Sequence, residues 1–359
     1  MLFIILTNSL RRCLAKRVGV RVNVLLVDVD SKIPNLALMK LSEFYKRQDY
    51  TVEMQRLGFN GYPSKKSRVI INNTEYDKVY ASCIFSVNAD RFGFESMENV
   101  KVGGTGVNAV NLSPEIDSIG EDYGIYPNNK SSYGFITRGC PRKCSFCVVP
   151  EKEGGIYKYR TVDQIVKHNK VFFMDNNILA YRKHLEVLEE IKDKKLKCQF
   201  NQGLDIRLIT DANAKALSEL NYIGNYTFAF DHIRLAKIMG KKLEIVKKHI
   251  SSDWKCRMFV LGGYDSSIRD DLWRIEWCRK NKVNPYYMRH ALCWCSPDQS
   301  LYTSLAAWCN QPAYFKKMPF PEFVQKRHPI GNTRAESDIK KYLEFSKPDK
   351  YLEVLECTL

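Results

Sequence analysis

This chain of 359 residues has no apolar run long enough to cross a bilayer: the opening MLFIIL ends after six residues, where about 20 would be needed. Arg11 and Arg12 follow that stretch instead of preceding it, the reverse of a secretory signal. No membrane partner is expected. Internal repeats and low-complexity segments are also missing. Acidic charge is scarce, with 40 Asp and Glu against 56 Lys and Arg, giving a net charge of +16. Such a field attracts phosphate groups, so nucleic acid or a nucleotide-containing substrate is a candidate partner. The lysines are dispersed, however, and a solvated basic surface accounts for them equally. Hydrophobic residues at 45% and charged residues at 27% exclude wholesale disorder. The 12 cysteines cannot be a small secreted disulfide scaffold in so long a chain. A reducing, cytoplasmic setting suits them, where thiols stay reduced or bind metal.

What is present is an alternation of short apolar runs and amphipathic stretches. Residues 1–19 read as a loosely attached or mis-started extension. RVNVLLVDV (21–29) is a buried-strand pattern, followed by a helical stretch over 35–48 and a second strand, VYASCIF (79–85). The Gly-, Asn-, Ser- and Pro-rich segment 101–132 reads as a linker with turns, closing a small α/β unit over 20–130. From Tyr133 six strand candidates follow, at 133–137, 170–174, 197–200, 226–230, 255–261 and 284–288. Helical stretches separate them, with Thr161 and either Thr210 or Asp211 as caps. Six βα units over 131–292 imply a parallel sheet. The remainder, 293–359, reads as a helical C-terminal extension with Pro-rich breaks at 312–329.

The chemistry concentrates in RGCPRKCSFCVVPEKEGG, residues 138–155. Cys140, Cys144 and Cys147 are spaced C-x3-C-x2-C directly after a strand candidate. Thiolates on so tight a loop reach three corners of one iron–sulfur cube, and the missing fourth ligand leaves one iron open to a small molecule. Gly139 and Pro141 permit the sharp turn, and Arg138, Arg142 and Lys143 offset negative charge. A zinc site is the plainer alternative, but zinc ordinarily takes four N or S ligands, often as paired C-x2-C units, and only one such pair stands here.

C-x3-C-x2-C with an aromatic, Phe146, before the last cysteine resembles the signature of the radical S-adenosylmethionine superfamily. The resemblance covers about 133–290 and implies a partial (β/α)6 barrel. It implies a [4Fe–4S] cluster whose open iron chelates the amino and carboxylate groups of S-adenosylmethionine. Fed by a low-potential donor of flavodoxin or ferredoxin type, the cluster would cleave the cofactor to a 5′-deoxyadenosyl radical that abstracts hydrogen from a substrate. Where the family often has a Gly-Gly-Glu-like segment, this chain has Asp175-Asn176-Asn177. Asp175 is the expected acceptor for the methionine ammonium, with a turn or cap as the alternative. Arg207 is the expected partner of the methionine carboxylate, against a local salt bridge with Asp205, and Gln202 a ribose contact. Gly262, beside Gly263 after the fifth strand, would let adenine approach the backbone, with a plain turn as the equal alternative. Asp231 and His232, after the fourth strand, would line the substrate side, although a lone His there is more often structural.

Residues 20–130 more weakly resemble a Rossmann-like, cobalamin-binding domain. The Asp-x-His-x-x-Gly signature is replaced by Asp28-Val29-Asp30-Ser31-Lys32-Ile33, so cobalamin is not expected. Cys293, Cys295 and Cys309 raise the question of an auxiliary cluster, but Cys293 and Cys295 would point apart if extended and Cys309 lies in an apolar helical stretch. The chain partly resembles tRNA methylthiotransferases, yet lacks their N-terminal cysteine trio and C-terminal RNA-binding module. A different class remains open: a nucleic-acid-binding protein whose cluster or zinc merely staples a loop.

Overall fold

A computed structural model describes residues 23–60, 68–108 and 110–347; the expected extension over 1–19 lies outside them. The chain divides into two compact units, residues 1–130 and 131–359.

The first unit runs β1 (Asn23–Asp28), α1 (Leu36–Lys46), β2 (Thr51–Arg56), β3 (Val69–Ile71), β4 (Lys78–Ser82), β5 (Phe92–Phe94), β6 (Val100–Gly103) and α2 (Pro114–Asp117). Its main sheet is parallel, in the order β2-β1-β4-β6. Alternation along β1 sends Val24 and Leu26 into one cluster with Leu38, Leu41 and Tyr45 of α1. Leu25 and Val27 go to the opposite cluster with Ile71 and Phe92. Asn35 starts α1 by accepting from the Leu38 amide at 3.3 Å.

One expectation needs correction. The segment from 101 is not all linker, because Val100–Gly103 completes the sheet. It carries only two half-buried valines, too few to stand out in a Gly- and Asn-rich stretch. The unit is α/β with a parallel sheet, α1 covering one face and the second cluster taking in Ile71 and Phe92 from the parallel pair β3–β5. At the carboxyl end of β1, Asp28 accepts from Tyr126 Oη at 2.9 Å and the Ser31 amide at 3.0 Å. Asp30 accepts from the Ile84 and Phe85 amides. Both carboxylates are spent on bonds within this unit, Asp28 to its own loop and Tyr126, and Asp30 to the loop after β4.

The second unit opens with β7 (Ser132–Gly134), β8 (Thr137–Arg138), α3 (Val149–Lys152), β9 (Tyr157–Lys158) and α4 (Val162–Ile165). There follow β10 (Lys170–Phe173), α5 (His184–Asp193), β11 (Lys197–Phe200), α6 (Asp211–Ser218), β12 (Asn221–Tyr222), β13 (Tyr226–Ala229) and α7 (Ala236–His249). It closes with β14 (Cys256–Gly262), α8 (Ile268–Lys280), β15 (Asn284–Arg289), α9 (Gln299–Cys309), α10 (Pro312–Phe315), α11 (Phe320–Arg327) and α12 (Thr333–Phe345). The α/β class is therefore as expected, with several parallel sheets. One has the order β12-β11-β10-β7 and another β13-β14-β15. A parallel bridge, Leu204 to Phe228, joins them, with Leu204 N donating to Thr227 O at 2.7 Å.

Helices start where the sequence places caps. Thr161 and Thr210 each form a reciprocal box with the residue three positions on, Gln164 and Asn213. The strand expected over 133–137 breaks in two. Asp175 captures the amides of Ile136 and Thr137, so the chain leaves β10 and pairs β8 antiparallel with β9. The described residues after 293 are largely helical, but they are no appendage: Trp308, Phe315, Phe320 and Phe323 share one core with Ile275, Cys278 and Tyr287. Among the described residues no helix is long and apolar enough to cross a membrane.

Candidate active site

The cysteine loop is the connection of the β8–β9 hairpin, and its neck is closed by three contacts. Cys140 N donates to Gly154 O at 3.0 Å, Gly139 N to Glu153 Oε2 at 2.9 Å, and Arg138 pairs with Glu153 at 3.4 Å. Gly139 has φ +78°, and a Cβ there would overlap the Gly155 carbonyl, so only glycine fits. Within the loop, Cys147 N donates to Cys144 O at 3.0 Å. All three thiols are free and partly exposed. Burial pushes the Cys144 and Cys147 thiols above the ordinary value; Asp231 next raises Cys144, while Arg207 opposes that rise.

Around the loop lie groups from the next two strand ends. Asn177, 3% exposed, points Nδ2 at Cys140 Sγ (3.5 Å) and at Asp205 Oδ2 (3.4 Å). The Arg142 amide donates to the same sulfur at 3.4 Å. Asn177 Oδ1 is buried with no hydrogen-bond partner, a cost a native site carries only for a reason. Asp205 is gripped by two guanidiniums: Arg207 Nε at 2.6 Å and Nη2 at 3.0 Å, and Arg142 Nε at 2.9 Å. Burial works to raise the Asp205 carboxyl, but those bonds win and hold it below the usual value. Two cations on one carboxylate thus stand beside the thiols, with Asp231 opposing them at Cys144.

The sequence-derived residues fall out unevenly. Cys140, Cys144 and Cys147 stand together on the loop, and Phe146, 41% exposed, touches Tyr264 edge-on at 5.6 Å. Tyr264 in turn meets His290 at 4.7 Å, so an aromatic chain runs from the cysteine loop to the ends of β14 and β15. Arg207 is engaged with Asp205, the local ion pair weighed as its alternative. Asp175 is 1% exposed, and its oxygens accept from Thr137 N (2.5 Å), Thr137 Oγ1 (2.7 Å) and Ile136 N (3.2 Å). Those three bonds make it a latch that sets the neck of the loop, and at 1% exposure it presents no oxygen to a ligand. Asn176 donates to Glu153 Oε2 at 2.6 Å, a second latch. Gln202 is exposed. Gly262 is required by packing, because a Cβ would overlap the hydroxyl of buried Tyr287. His232 accepts from the Arg234 amide at 3.0 Å and caps a turn. Cys293 is buried against Gly262 O, Cys309 is fully buried and Cys295 exposed.

Sequence reasoning missed Glu153 and Arg274, named Asp205 only as a salt-bridge partner for Arg207, and gave Asn177 no role beside Asp175 and Asn176. Arg274, fully buried, donates to the Phe230 and Leu261 carbonyls at 2.7 and 2.8 Å and pairs with Asp271, tying the ends of β13 and β14 together. Only an arginine seven residues into a strongly capped helix hinted at it. Among the described residues no three His, Cys, Asp or Glu side chains gather tightly enough for a single metal ion. The donors fit a cube in kind: three free thiols, flanking cations and an unpaired buried acceptor. No family model, curated protein or solved structure matches this chain.

Proposed function

We propose that the second unit is a radical S-adenosylmethionine enzyme, with Cys140, Cys144 and Cys147 holding a [4Fe–4S] cluster. The observation that carries the reading is the unpaired Asn177 Oδ1 buried beside the Cys140 thiol, on a loop whose three thiols are all free. In this reading β7, β10, β11, β13, β14 and β15 form a partial (β/α)6 barrel, since they run parallel in chain order and the Leu204–Phe228 bridge joins their two sheets. The loop and its partners then lie past strand carboxyl ends, where such folds bind ligands.

A cluster held by these three thiolates, reduced by a flavodoxin- or ferredoxin-type donor, would supply the electron that splits S-adenosylmethionine into methionine and a 5′-deoxyadenosyl radical able to take a hydrogen atom from the substrate. This chain's own residues do the rest. Glu153, Asn176 and Asp175 hold the neck of the loop. Arg142 and Arg207 oppose the negative charge of thiolates and sulfides. Asn177 Oδ1 accepts from the methionine ammonium, the role expected of Asp175. Phe146 and Tyr264 shield the loop from water.

Anaerobic reconstitution of the full chain tests the assignment. About four irons and four sulfides per chain are expected, the content of one cubane, and the Cys140→Ala, Cys144→Ala, Cys147→Ala triple variant should bind none. One zinc per chain with no sulfide would establish the loop-stapling alternative.

A further inference from the structure

The helix-covered face of the strands is packed solid: Val171, Phe173, Cys198, Phe228, Met258 and Val260 are all 0% exposed. The opposite face is not. Phe172, Gln199, Arg257 and Phe259 alternate with those residues and remain partly exposed, and Tyr286 is 40% exposed. The register sets Thr227, Arg257 and Asn284 in one cross-strand row and Ala229, Phe259 and Tyr286 in the next. The Phe259 ring lies 3.3 Å from where a Cβ on Gly203 would stand, so this wall continues across the junction of the two sheets. Phe259 and Tyr286 meet edge-to-face at 5.8 Å.

Two groups in the lower row lack what their burial demands. Arg257 makes one long hydrogen bond, 3.3 Å to Asn225 Oδ1, and no ion pair among the described residues. Burial works against its charge. Asn284, 2% exposed, gives Nδ2 to Trp254 O and leaves Oδ1 buried without a partner. A half-buried guanidinium with no carboxylate is costly unless an anion arrives from outside. The aromatic row above it offers flat apolar surface, and the +16 charge favours phosphate-bearing ligands over neutral ones.

We infer that this wall binds a nucleotide, with its phosphate on the Arg257 guanidinium, its base against Phe259 and Tyr286, and a hydroxyl or N–H given to Asn284 Oδ1. The inference names the substrate class of the site proposed above and rests on that reading. Arg257 lies near the start of β14, whereas the cysteine loop rises past strand carboxyl ends. The phosphate is therefore the end remote from the thiols, and the base or sugar faces the chemistry.

Calorimetry on the full chain with nucleoside monophosphates, the matching nucleosides, and an acetylated glutamyl peptide tests it. A monophosphate should bind about 10- to 150-fold more tightly than its nucleoside, the worth of one charge-assisted contact. Arg257→Gln should erase that difference, Arg257→Lys should keep most of it, and Tyr286→Ala should weaken nucleotide and nucleoside alike. Equal affinity of Arg257→Gln and wild type for the monophosphate, or tighter binding of the peptide, overturns the inference. The same titration on the triple cysteine variant separates the two claims. A chain that builds its cluster but binds no nucleotide refutes this inference alone; one that binds nucleotide without taking up iron and sulfide refutes the cluster reading alone.

Discussion

Replacing Asp175 by Asn should change how stability depends on pH, and by an amount the structure sets. The carboxyl is fully buried, which pushes its pKa up; the Thr137 and Ile136 donors pull it back, and the balance is about 6 against an ordinary 3.8. Because the folded value is raised, the folded state holds this proton more tightly than the open chain does. The contribution is fully present below about pH 4 and is lost as pH rises through about 6. That gap, at about 1.4 kcal/mol per pH unit, is worth about 3 kcal/mol. The isosteric amide cannot titrate, so urea unfolding of both proteins at intervals between pH 4 and 7.5 isolates the effect. Wild type should lose about 3 kcal/mol relative to Asp175→Asn over that window. A difference that stays flat, or that moves in favour of wild type as pH rises, would show the carboxylate ionised throughout and the pull of its three donors stronger than the push of burial.

Other consequences follow from the neck and from the acceptor beside Cys140. Gly139→Ala forces a Cβ into the Gly155 carbonyl at φ +78°; iron uptake should fall to a small fraction of wild type while circular dichroism stays native, and normal uptake would count against the neck geometry. Asn177→Ala should weaken S-adenosylmethionine binding by about 10-fold or more, one lost hydrogen bond to a charged group, with iron content unchanged. Undiminished affinity in calorimetry would remove Asn177 from the site.

The strand cores were legible because their burial is written as composition. KVFF and KCQF put apolar side chains on the helix-covered face, and CRMFVL does the same at longer reach. The caps at Thr161 and Thr210 were legible for the local reason that a side-chain oxygen and an amide three residues on are neighbours in the chain. β2, TVEMQR, was not, since as an edge strand it is exposed at three of six positions and shows no apolar run. β6 disappeared into a Gly- and Asn-rich segment for a similar reason. The three cysteines were readable from spacing alone. Their supports were not: Glu153 lies 14 residues from the amide it holds, and Asn177 lies 37 from the sulfur it faces. Asp175 shows the limit most clearly, because a carboxylate after a strand reads the same whether it awaits a ligand or is already bonded to its own backbone. Only the fold, by placing Ile136 and Thr137 against it, decides.

The central claim is that three thiols on one loop support reductive cleavage of S-adenosylmethionine. Its most direct test is anaerobic incubation of the reconstituted chain with S-adenosylmethionine and dithionite, followed by quantitation of 5′-deoxyadenosine and methionine. The account predicts the two products in equal amounts from wild type and neither from the triple cysteine variant. A fully loaded cluster that yields no 5′-deoxyadenosine, or equal yields from wild type and variant, would contradict it.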